Sequence, residues 1–492
     1  MNIIPNPKKC VLTGGEIDVN SLCAVTLDNS IAAEGYAIDI DKNGISIKAS
    51  DERGAFYAVQ TLRQLKHNVK TLPCLHIEDS PQFKFRSFMI DCVRHFFTVE
   101  ELKKMIEGAS IFKFNKFHWH LTDDQGWRIQ IDKYPLLTEI GSKRKGSHFG
   151  KSRDDTEYSG FYTKDEIREV VAFCAERQID VIPEIEMPGH TSAMLSAYPQ
   201  FSCFGGVEIK LGGGIFTDLL CVGNDEAVEF AKDILTEVCE LFPYEIIHIG
   251  GDEAPKDKWK TCPKCQAKMA ELGIKDEDAF QEYFTNNIAE FLKTKEKKTI
   301  IWSDAFENGK IDKDIIGQFW IGNKNELINH VNSGGKLIMS SNFHFYLDYP
   351  YGQIPVNKIL KTQLVFDEIT EKENVLGVES PLWAEYIDDF EKLTYLAFPR
   401  LAAVSECGWN ALEQRDIKTF DERYEAIIGL IESVGIHSAP KKMWNIKGFA
   451  KLNDMFKFWK NVITFKDVKD VVSKSLADNK AIKKSQKEKN CK

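Results

Sequence analysis

The stretch EIIHIGGDEAP, residues 245–255, contains an apolar strand that ends on two glycines and two adjacent acids, Asp252 and Glu253. The apolar run predicts a buried strand, and Gly250 and Gly251 allow a tight bend or the close approach of a ligand. Two neighbouring, partly buried carboxyls disfavour double ionisation, so the pKa of at least one should rise. Such a carboxyl can act as a general acid near neutral pH. The alternative is that the two acids begin a helix, where acids are also favoured.

Seven further segments share this pattern of an apolar strand followed by polar or aromatic residues. The eight predicted strands span residues 85–92, 116–123, 180–187, 245–251, 299–304, 316–320, 336–341 and 375–380. Helical patterns separate most of them, at residues 99–112, 164–177, 226–241, 277–294 and 324–332. This alternation predicts an α/β protein built on a (β/α)8 TIM barrel. An open doubly wound sheet is the alternative, but polar and aromatic residues cluster at the carboxyl ends of nearly all strands, as a barrel site requires.

Two smaller regions flank the predicted barrel, which spans residues 81–435 and ends with a helix at 416–433. Residues 1–80 form a predicted small α+β accessory domain. It has strands at 36–41 and 44–50 and a helix at 52–67 whose Phe56, Val59, Leu62 and Leu65 predict one buried stripe. Residues 436–492 are a C-terminal extension, partly helical, with a Lys-rich tail from residue 480 that is predicted to be solvated. The extension could cover the barrel helices or mediate self-association into a homo-oligomer.

The amino-acid composition indicates which classes of binding partner are disfavoured. The chain has 492 residues, 43% of them hydrophobic, with a formal net charge of −10 and a pI near 5.7. This acidic balance disfavours nucleic acid and anionic membrane surfaces as partners. No apolar run is long enough to span a bilayer, and the start MNIIPNPKKC lacks the apolar core of a secretory signal, so we expect a cytoplasmic protein.

The 12 cysteines are scattered without a framework spacing, which favours free thiols in a reducing compartment. One pair, Cys262 and Cys265, has metal-like spacing. Tetrahedral zinc needs four ligands, and the sequence contains no second such pair. We therefore interpret these two as ordinary thiols in a loop, and expect the protein to need no metal and no other cofactor.

Candidate polar residues follow the first three strands. Arg94 offers five fixed donors suited to vicinal hydroxyls, although it could equally pair with Asp91 as part of the structure. His118 and His120, followed by Asp124, could bind a divalent metal in a hydrolase, or could belong to a hydrogen-bonded polar layer inside the barrel. Glu186 and His190 end the third strand, where a histidine can hold a proton near neutral pH or be purely structural.

Three tryptophans follow separate predicted strands: Trp302, Trp320 and Trp383. One such tryptophan is usually part of the core. Three at strand ends of one barrel indicate aromatic walls around a sugar, whose C–H faces pack on rings while its hydroxyls need polar partners. Further along the chain, Tyr346, Asp348 and Glu385 supply such partners.

In combination these motifs resemble those of glycoside hydrolase family 20, the exo-acting β-N-acetylhexosaminidases. The resemblance extends from residue 1 to about residue 435. It rests on the ordered series RSFMIDCVRHF, HWHLTDDQGWR, EIEMPGH, HIGGDE, IIWSD, YLD and SPLWAE. The chain departs from the family at Glu186, where aspartate is more usual, and at Val93, where serine is common. The resemblance implies a TIM barrel and a glycan substrate with a terminal N-acetylhexosamine.

Roles for individual residues are also implied by the resemblance. Glu253 would be the general acid and base, Asp252 would orient and stabilise the 2-acetamido group of the substrate, and Tyr346 would donate to its oxygen. Other residues would bind the sugar: Arg94, Asp348 and Glu385 its outer hydroxyls, and Trp302, Trp320 and Trp383 its acetamido methyl group and ring face. Asp124, His190 and His248 would be supporting residues.

The residues themselves favour this mechanism. A retaining glycosidase with a protein nucleophile needs two carboxyls on opposite sides of the bond, about 5–5.5 Å apart, which neighbours such as Asp252 and Glu253 do not readily supply. The acetamido oxygen of the substrate can replace the nucleophile, giving an oxazolinium intermediate and retention. Three alternatives stay open: a retaining glycosidase whose nucleophile is Asp348 or Glu385, a relative that releases a disaccharide as lacto-N-biosidases do, and a catalytically silent sugar-binding barrel.

Overall fold

The computed structural model describes residues 1–322 and 324–462. The tail from residue 480, and the other extension residues after 462, lie outside the described residues. Within the described ranges, no helix combines the length and the apolar character needed to cross a bilayer.

The N-terminal region is a five-stranded sheet with one helix against it. Its strands are β1 (Lys9–Asp18), β2 (Cys23–Leu27), β3 (Tyr36–Asp41), β4 (Gly44–Ala49) and β5 (Thr71–Asp79), and its helix is α1 (Glu52–Lys66). The strand order is β1-β5-β3-β4-β2, and only β2 and β4 pair in parallel. The predicted elements at 36–41, 44–50 and 52–67 correspond to β3, β4 and α1.

Three of these strands were not expected from the sequence. β1 and β2 are exposed at nearly every position, so they lack the alternation that signals a half-buried strand. β5 contains Pro73, which normally argues against an internal strand. Here Pro73 lies opposite Glu16, at the point where the register of β1 shifts, so the missing N–H falls at an irregular part of the ladder.

The predicted stripe on α1 was partly wrong. Leu62 is buried, but Val59 is 42% exposed. A spacing of three residues advances about 300° around a helix, so successive positions drift away from one face. The buried face instead includes Tyr57, Ala58 and Thr61.

Eight parallel strands close into the predicted barrel. They are β6 (Phe85–Asp91), β7 (Lys116–His120), β8 (Asp180–Glu184), β9 (Ile246–His248), β10 (Lys298–Trp302), β11 (Ile316–Phe319), β12 (Lys336–Met339) and β13 (Val375–Leu382). Each strand pairs with its sequence neighbour, and β13 pairs with β6 to complete the circle. Every residue of β6 and β7 is buried, as expected where a strand packs on both the barrel interior and the outer helices. The (β/α)8 prediction is therefore confirmed, and the doubly wound alternative is wrong.

Helices surround the barrel and occupy its connections. They are α2 (Val99–Ile111), α3 (Leu136–Glu139), α4 (Lys164–Ala175), α5 (Ser192–Ala197), α6 (Asp225–Leu241), α7 (Asp257–Thr261), α8 (Pro263–Leu272), α9 (Glu277–Thr294), α10 (Asn325–Asn332), α11 (Val356–Leu360), α12 (Phe390–Ala397), α13 (Arg400–Trp409), α14 (Phe420–Glu432), α15 (Lys441–Trp444) and α16 (Gly448–Val462). Helices α2 and α4 begin with capping boxes on Thr98 and Thr163, in which a side chain satisfies free backbone N–H groups.

The N-terminal sheet packs against the amino ends of the barrel strands. Arg53 of α1 lies 2.6 Å from Asp180 at the start of β8, and Trp409 donates to Asp79 at 2.8 Å. Arg86, near the start of β6, donates to Glu34 at 2.6 Å. The sheet therefore does not cover the carboxyl ends of the strands, where barrel enzymes place their active sites in the connecting loops.

Candidate active site

Asp252 and Glu253 lie just beyond β9, at the carboxyl end of the barrel. Gly250 has a φ of 65°, and a Cβ placed on it would lie 1.7 Å from Oε2 of Glu186. Only glycine allows Glu186 to pack this closely. Glu253 itself has a φ of 44°, a left-handed conformation that is uncommon for a residue with a side chain. The bend predicted from the two glycines thus presents both acids at the barrel rim, and neither belongs to a helix, so the helix-start alternative is wrong.

His190 lies between these two acids and a second pair of acids, Asp123 and Asp124, which follow β7. Its Nδ1 lies 3.0 Å from Oδ2 of Asp124 and 3.2 Å from Oδ1 of Asp123. Its Nε2 faces Oδ2 of Asp252 at 3.8 Å and Oε2 of Glu253 at 3.7 Å. Burial disfavours a charged imidazole, but the neighbouring carboxylates, Asp123 foremost, raise the pKa of His190 well above its usual value. A cationic ring is therefore placed between the two pairs of acids.

The acids at this rim hold protons more readily than free carboxyls do. Burial, followed by the charge of Glu186, raises the pKa of Asp252 well above its usual range. Burial also raises the pKa of Glu253, whose side chain is still 30% exposed. The pKa of Glu186 rises to about 7 through burial and the nearby Glu184. The pKa increase predicted from the adjacent carboxyls is thus present, with burial as the main cause.

Asp304, which follows β10, was missed by the sequence analysis. Its Oδ2 accepts a hydrogen bond of 2.9 Å from the backbone N–H of Glu253, and its Oδ1 accepts one of 2.9 Å from Nε1 of Trp320. The IIWSD motif contained the available signal, because this acid sits directly beyond a strand end. Asp123 was likewise not assigned a role, yet it contacts both His190 and Arg94.

The predicted aromatic residues line one continuous wall. The rings of Trp302 and Trp383 are 6.0 Å apart, those of Trp383 and Tyr346 6.3 Å, and those of Tyr346 and Trp320 6.2 Å. Trp302 is almost fully buried and donates to Glu184 at 2.7 Å, whereas Trp320 and Trp383 are only partly buried. The structure therefore brings all four aromatic site residues together.

Arg94 is held by acids on several sides. Its guanidinium lies 3.2 Å from Asp91, 2.7 Å from Asp123 and 3.7 Å from Glu385, and its Nε donates to Gln125 at 2.8 Å. The guanidinium carbon also lies 5.2 Å from the centre of the Trp383 ring. Arg94 thus makes the structural pair with Asp91 and, in addition, faces the predicted sugar-binding residue Glu385.

Asp348 and Glu385 form the polar end of this wall. Burial and the charge of Glu385 raise the pKa of Asp348 to about 8, and its Oδ1 is buried without a hydrogen-bond partner. Burial raises the pKa of Glu385, whose side chain is 22% exposed. A buried oxygen without a partner is costly, so Asp348 is suited to a hydrogen bond with a ligand, while the Glu385 side chain remains partly exposed.

The histidines of the second and fourth strands support the site from inside the barrel. His118 lies between Glu379 at 2.9 Å and Glu184 at 3.0 Å. Burial lowers the pKa of His248, whose Nδ1 lies 2.8 Å from Oε1 of Glu184 and 2.9 Å from the backbone nitrogen of Gly250 in the glycine bend. In the described residues, His118, His120 and Asp124 belong to three different clusters. These three residues therefore do not converge on one ion, and each is hydrogen-bonded within a polar layer inside the barrel.

Cys262 and Cys265 do not lie alone in a loop. The structure places Cys203 and Cys221 beside them, with all four Sγ atoms within 4.8 Å of one another. The additional cysteines come from the long connection after β8, so their sequence spacing gave no sign of the cluster.

Two other features border the barrel ends. The C-terminal helix α16 packs on the rim, where the rings of Trp459 and Tyr349 lie 5.9 Å apart at an angle of 37°, and Nε1 of Trp459 donates to Gln353 at 3.0 Å. A cavity of about 990 Å³ lies at the opposite, amino end of the strands and is lined in part by Lys116 and Lys298. None of the predicted site residues lines that cavity.

Comparison with known proteins agrees with this geometry. Residues 83–412 match the model of the glycosyl hydrolase family 20 catalytic domain, and residues 22–80 match that of domain 2 of the same family. A β-hexosaminidase of Porphyromonas gingivalis is 39% identical over 429 residues, which are 82% of this chain and 54% of the relative. The chain thus spans about half the length of that relative.

Two further relatives resemble the chain over most of its length. A β-hexosaminidase of Akkermansia muciniphila is 33% identical over 437 residues, 85% of this chain and 88% of the relative. The crystal structure of a family 20 exo-β-N-acetylglucosaminidase from Vibrio harveyi, in complex with N-acetylglucosamine, superposes with a TM-score of 0.81 at 27% identity, over 89% of this chain and 78% of that one. The chain therefore belongs to glycoside hydrolase family 20.

Proposed function

We propose that this chain removes terminal, non-reducing, β-linked N-acetylhexosamine with retention, using the acetamido oxygen of the substrate as the nucleophile. The observation that carries the proposal is that Asp252 and Glu253 face the same atom, Nε2 of His190, at 3.8 and 3.7 Å. Both carboxyls are thus on one side of the site, whereas a protein nucleophile and an acid must flank the scissile bond from opposite sides.

Glu253 acts first as an acid and then as a base. Burial raises its pKa, which favours the protonated acid, and its partly exposed side chain faces the opening of the site. It donates this proton to the glycosidic oxygen as the bond from that oxygen to the anomeric carbon breaks. After the leaving group departs, the Glu253 carboxylate takes a proton from the water that attacks the anomeric carbon.

Asp252 stabilises the positive charge that forms on the sugar. The acetamido oxygen attacks the anomeric carbon, and the positive charge of the cyclic oxazolinium is shared by its nitrogen. Oδ1 of Asp252 is buried without a hydrogen-bond partner and can accept the N–H of the acetamide. That hydrogen bond and the developing positive charge both favour the ionised form of Asp252, despite its raised pKa.

The remaining site residues hold the sugar in position. Tyr346, which lies against Trp320 and Trp383, donates its hydroxyl to the acetamido oxygen and aims it at the anomeric carbon. The tryptophan wall encloses the methyl group and excludes water, which strengthens the interaction with Asp252. Arg94, Asp348 and Glu385 bind the outer hydroxyls. The N-acetylglucosamine in the Vibrio harveyi structure supports this substrate class.

A protein nucleophile is the main competing mechanism. Asp348 is a poor candidate, because a pKa of about 8 leaves it largely protonated at neutral pH. Burial also raises the pKa of Glu385, but its side chain is 22% exposed and faces Arg94, so Glu385 is the competing nucleophile that the experiment distinguishes.

The test compares aryl β-glycosides that carry acetamido, fluorinated acetamido or hydroxyl groups at carbon 2. Fluorine makes the carbonyl oxygen less nucleophilic, so kcat/KM should fall steeply with each added fluorine. The 2-hydroxy substrate should be slower by about a thousandfold or more. Asp252→Asn should lose about a hundredfold or more with the acetamido substrate. Comparable rates for all three substrates, or a sugar ester on Asp348 or Glu385 found by mass spectrometry of quenched enzyme, would contradict the proposal.

A further inference from the structure

Four cysteines converge on one point beside the loops that carry the catalytic acids. Cys203 and Cys221 belong to the connection after β8, Cys262 separates helices α7 and α8, and Cys265 lies in the first turn of α8. Three of the four are essentially fully buried. The Sγ atoms of Cys203 and Cys265 are 3.8 Å apart. The Sγ atom of Cys221 lies 3.7 Å from that of Cys262 and 3.7 Å from that of Cys265.

These distances are those of a metal site. A zinc ion with four thiolate ligands has Zn–S bonds of about 2.3 Å, so the edge of the sulfur tetrahedron is about 3.8 Å. A disulfide would bring two sulfur atoms to about 2.05 Å. All four cysteines are free thiols; the three Sγ–Sγ distances given above match edges of this tetrahedron, and all four Sγ atoms lie within 4.8 Å of one another.

The surrounding backbone is shaped for such a site. A Cβ placed on Gly223 would lie 2.3 Å from the backbone nitrogen of Cys265, so a side chain is excluded there. The connection after β8 can therefore pack directly against the first turn of α8, where Cys221 meets Cys265. The fourth cysteine, Cys203, is partly exposed and leaves an entry path for an ion.

We propose that Cys203, Cys221, Cys262 and Cys265 bind one structural zinc ion. All four positions of the tetrahedron are then filled by protein, which is typical of structural rather than catalytic zinc. The ion ties the connection after β8 to the connection after β9. Two hydrogen bonds continue this link toward the active site: Leu220 N–H donates to the Pro188 carbonyl at 3.0 Å, and Trp259 Nε1 donates to the Leu220 carbonyl at 3.0 Å.

The first test is the zinc content of the full chain, purified under reducing conditions without added metal. Elemental analysis should find about one zinc per chain. Titration with an organomercurial should release it as the four thiols react. After removal by a chelator, added Co²⁺ should give the visible ligand-field bands of tetrahedral cobalt bound to thiolates. No zinc in the purified chain and no uptake of zinc or cobalt after reduction would overturn the proposal. Iron–sulfur absorbance, or a disulfide within the cluster detected by mass spectrometry, would overturn it as well.

Matched variants assign the ion to the four cysteines. Cys203→Ser and Cys221→Ser should lower the zinc content by about tenfold or more, whereas Cys203→His, which keeps a zinc ligand at the partly exposed position, should retain most of it. Cys174→Ser and Cys407→Ser, which change buried thiols elsewhere in the fold, should keep about one zinc per chain. Full zinc content in both Cys203→Ser and Cys221→Ser would contradict the assignment, and this readout is independent of glycosidase activity.

Discussion

The carboxylate of Asp304 accepts a hydrogen bond of 2.9 Å from the backbone N–H of Glu253. This bond holds Glu253 in its left-handed conformation, with a φ of 44°, so that the carboxyl of the proposed general acid faces the opening of the site. The second oxygen of Asp304 accepts a hydrogen bond of 2.9 Å from Nε1 of Trp320, so Asp304 links Glu253 to the aromatic wall.

Asp304→Asn should change the pH dependence of the reaction more than the shape of the site. Burial and then the negative charge of Asp304 raise the pKa of Glu253. Removing that charge should lower the pKa of Glu253, so the acid form is lost at lower pH and the alkaline limb of kcat/KM moves to lower pH. An alkaline limb that does not move would contradict this role. Asp314→Asn, at an exposed ion pair with Lys293, is the control.

Glu253→Gln should separate acid catalysis from the rest of the mechanism. Aryl N-acetylhexosaminides with poor leaving groups need protonation, so their kcat should fall by about 10²–10⁴. Dinitrophenolate leaves without being protonated, so with dinitrophenyl substrates the rate of the first step should fall much less. Steady-state rates across a series of leaving groups would show this as a steeper dependence on leaving-group pKa. Glu271→Gln, on an exposed face of α8, should behave as the wild type. An equal loss for all leaving groups would count against Glu253 as the acid.

Most of the barrel could be predicted because its strands are short apolar runs that each end in chemically distinctive residues. The eight predicted strands all occur, and α9 has the predicted bounds. The predicted strands were usually too long at their carboxyl ends, where residues such as Asp123 and Glu186 leave the sheet to form the site. A strand pattern does not mark the residue at which backbone pairing stops.

Relationships across the fold could not be predicted in the same way. The contact of Asp304 with Glu253 joins two neighbouring strand ends 51 residues apart, and its existence depends on the left-handed turn at Glu253. The cluster of four cysteines depends on how the connection after β8 folds back beneath α8, which spacing alone does not specify. The exposed strands β1 and β2 were missed because they carry no buried face.

Arg94→Lys tests whether this residue binds substrate or is only structural. Lysine keeps the positive charge near Asp91 and Asp123 but loses the planar fork that can serve several oxygens at once. If Arg94 grips a sugar hydroxyl, kcat/KM should fall by about tenfold to a hundredfold, mainly through KM, while the free energy of unfolding changes little. A loss of stability with unchanged KM would show that Arg94 acts only through its structural ion pair with Asp91. Glu385→Gln is the companion variant, since its carboxylate faces Arg94 at 3.7 Å.

The polar layer inside the barrel makes stability depend on pH above neutrality. His118 is fully buried; burial alone would lower its pKa, but Glu379 and Glu184 raise it from 6.5 to about 9. The folded state therefore binds this proton more tightly than the unfolded state does, so the stabilisation is complete below pH 6.5 and is lost as the pH rises through 9. The contribution is on the order of 3 kcal/mol.

His118→Gln should remove that part of the pH dependence. Free energies of unfolding from denaturant titrations between about pH 6 and 9.5 should decline more steeply for the wild type than for the variant. The difference between the two proteins should therefore shrink toward alkaline pH. His330→Gln is the matched control, because burial lowers the pKa of His330, the opposite direction to the shift of His118. If the two curves stayed parallel throughout the range, His118 would not carry its proton in the folded state, and the charged layer inside the barrel would have to be assigned differently.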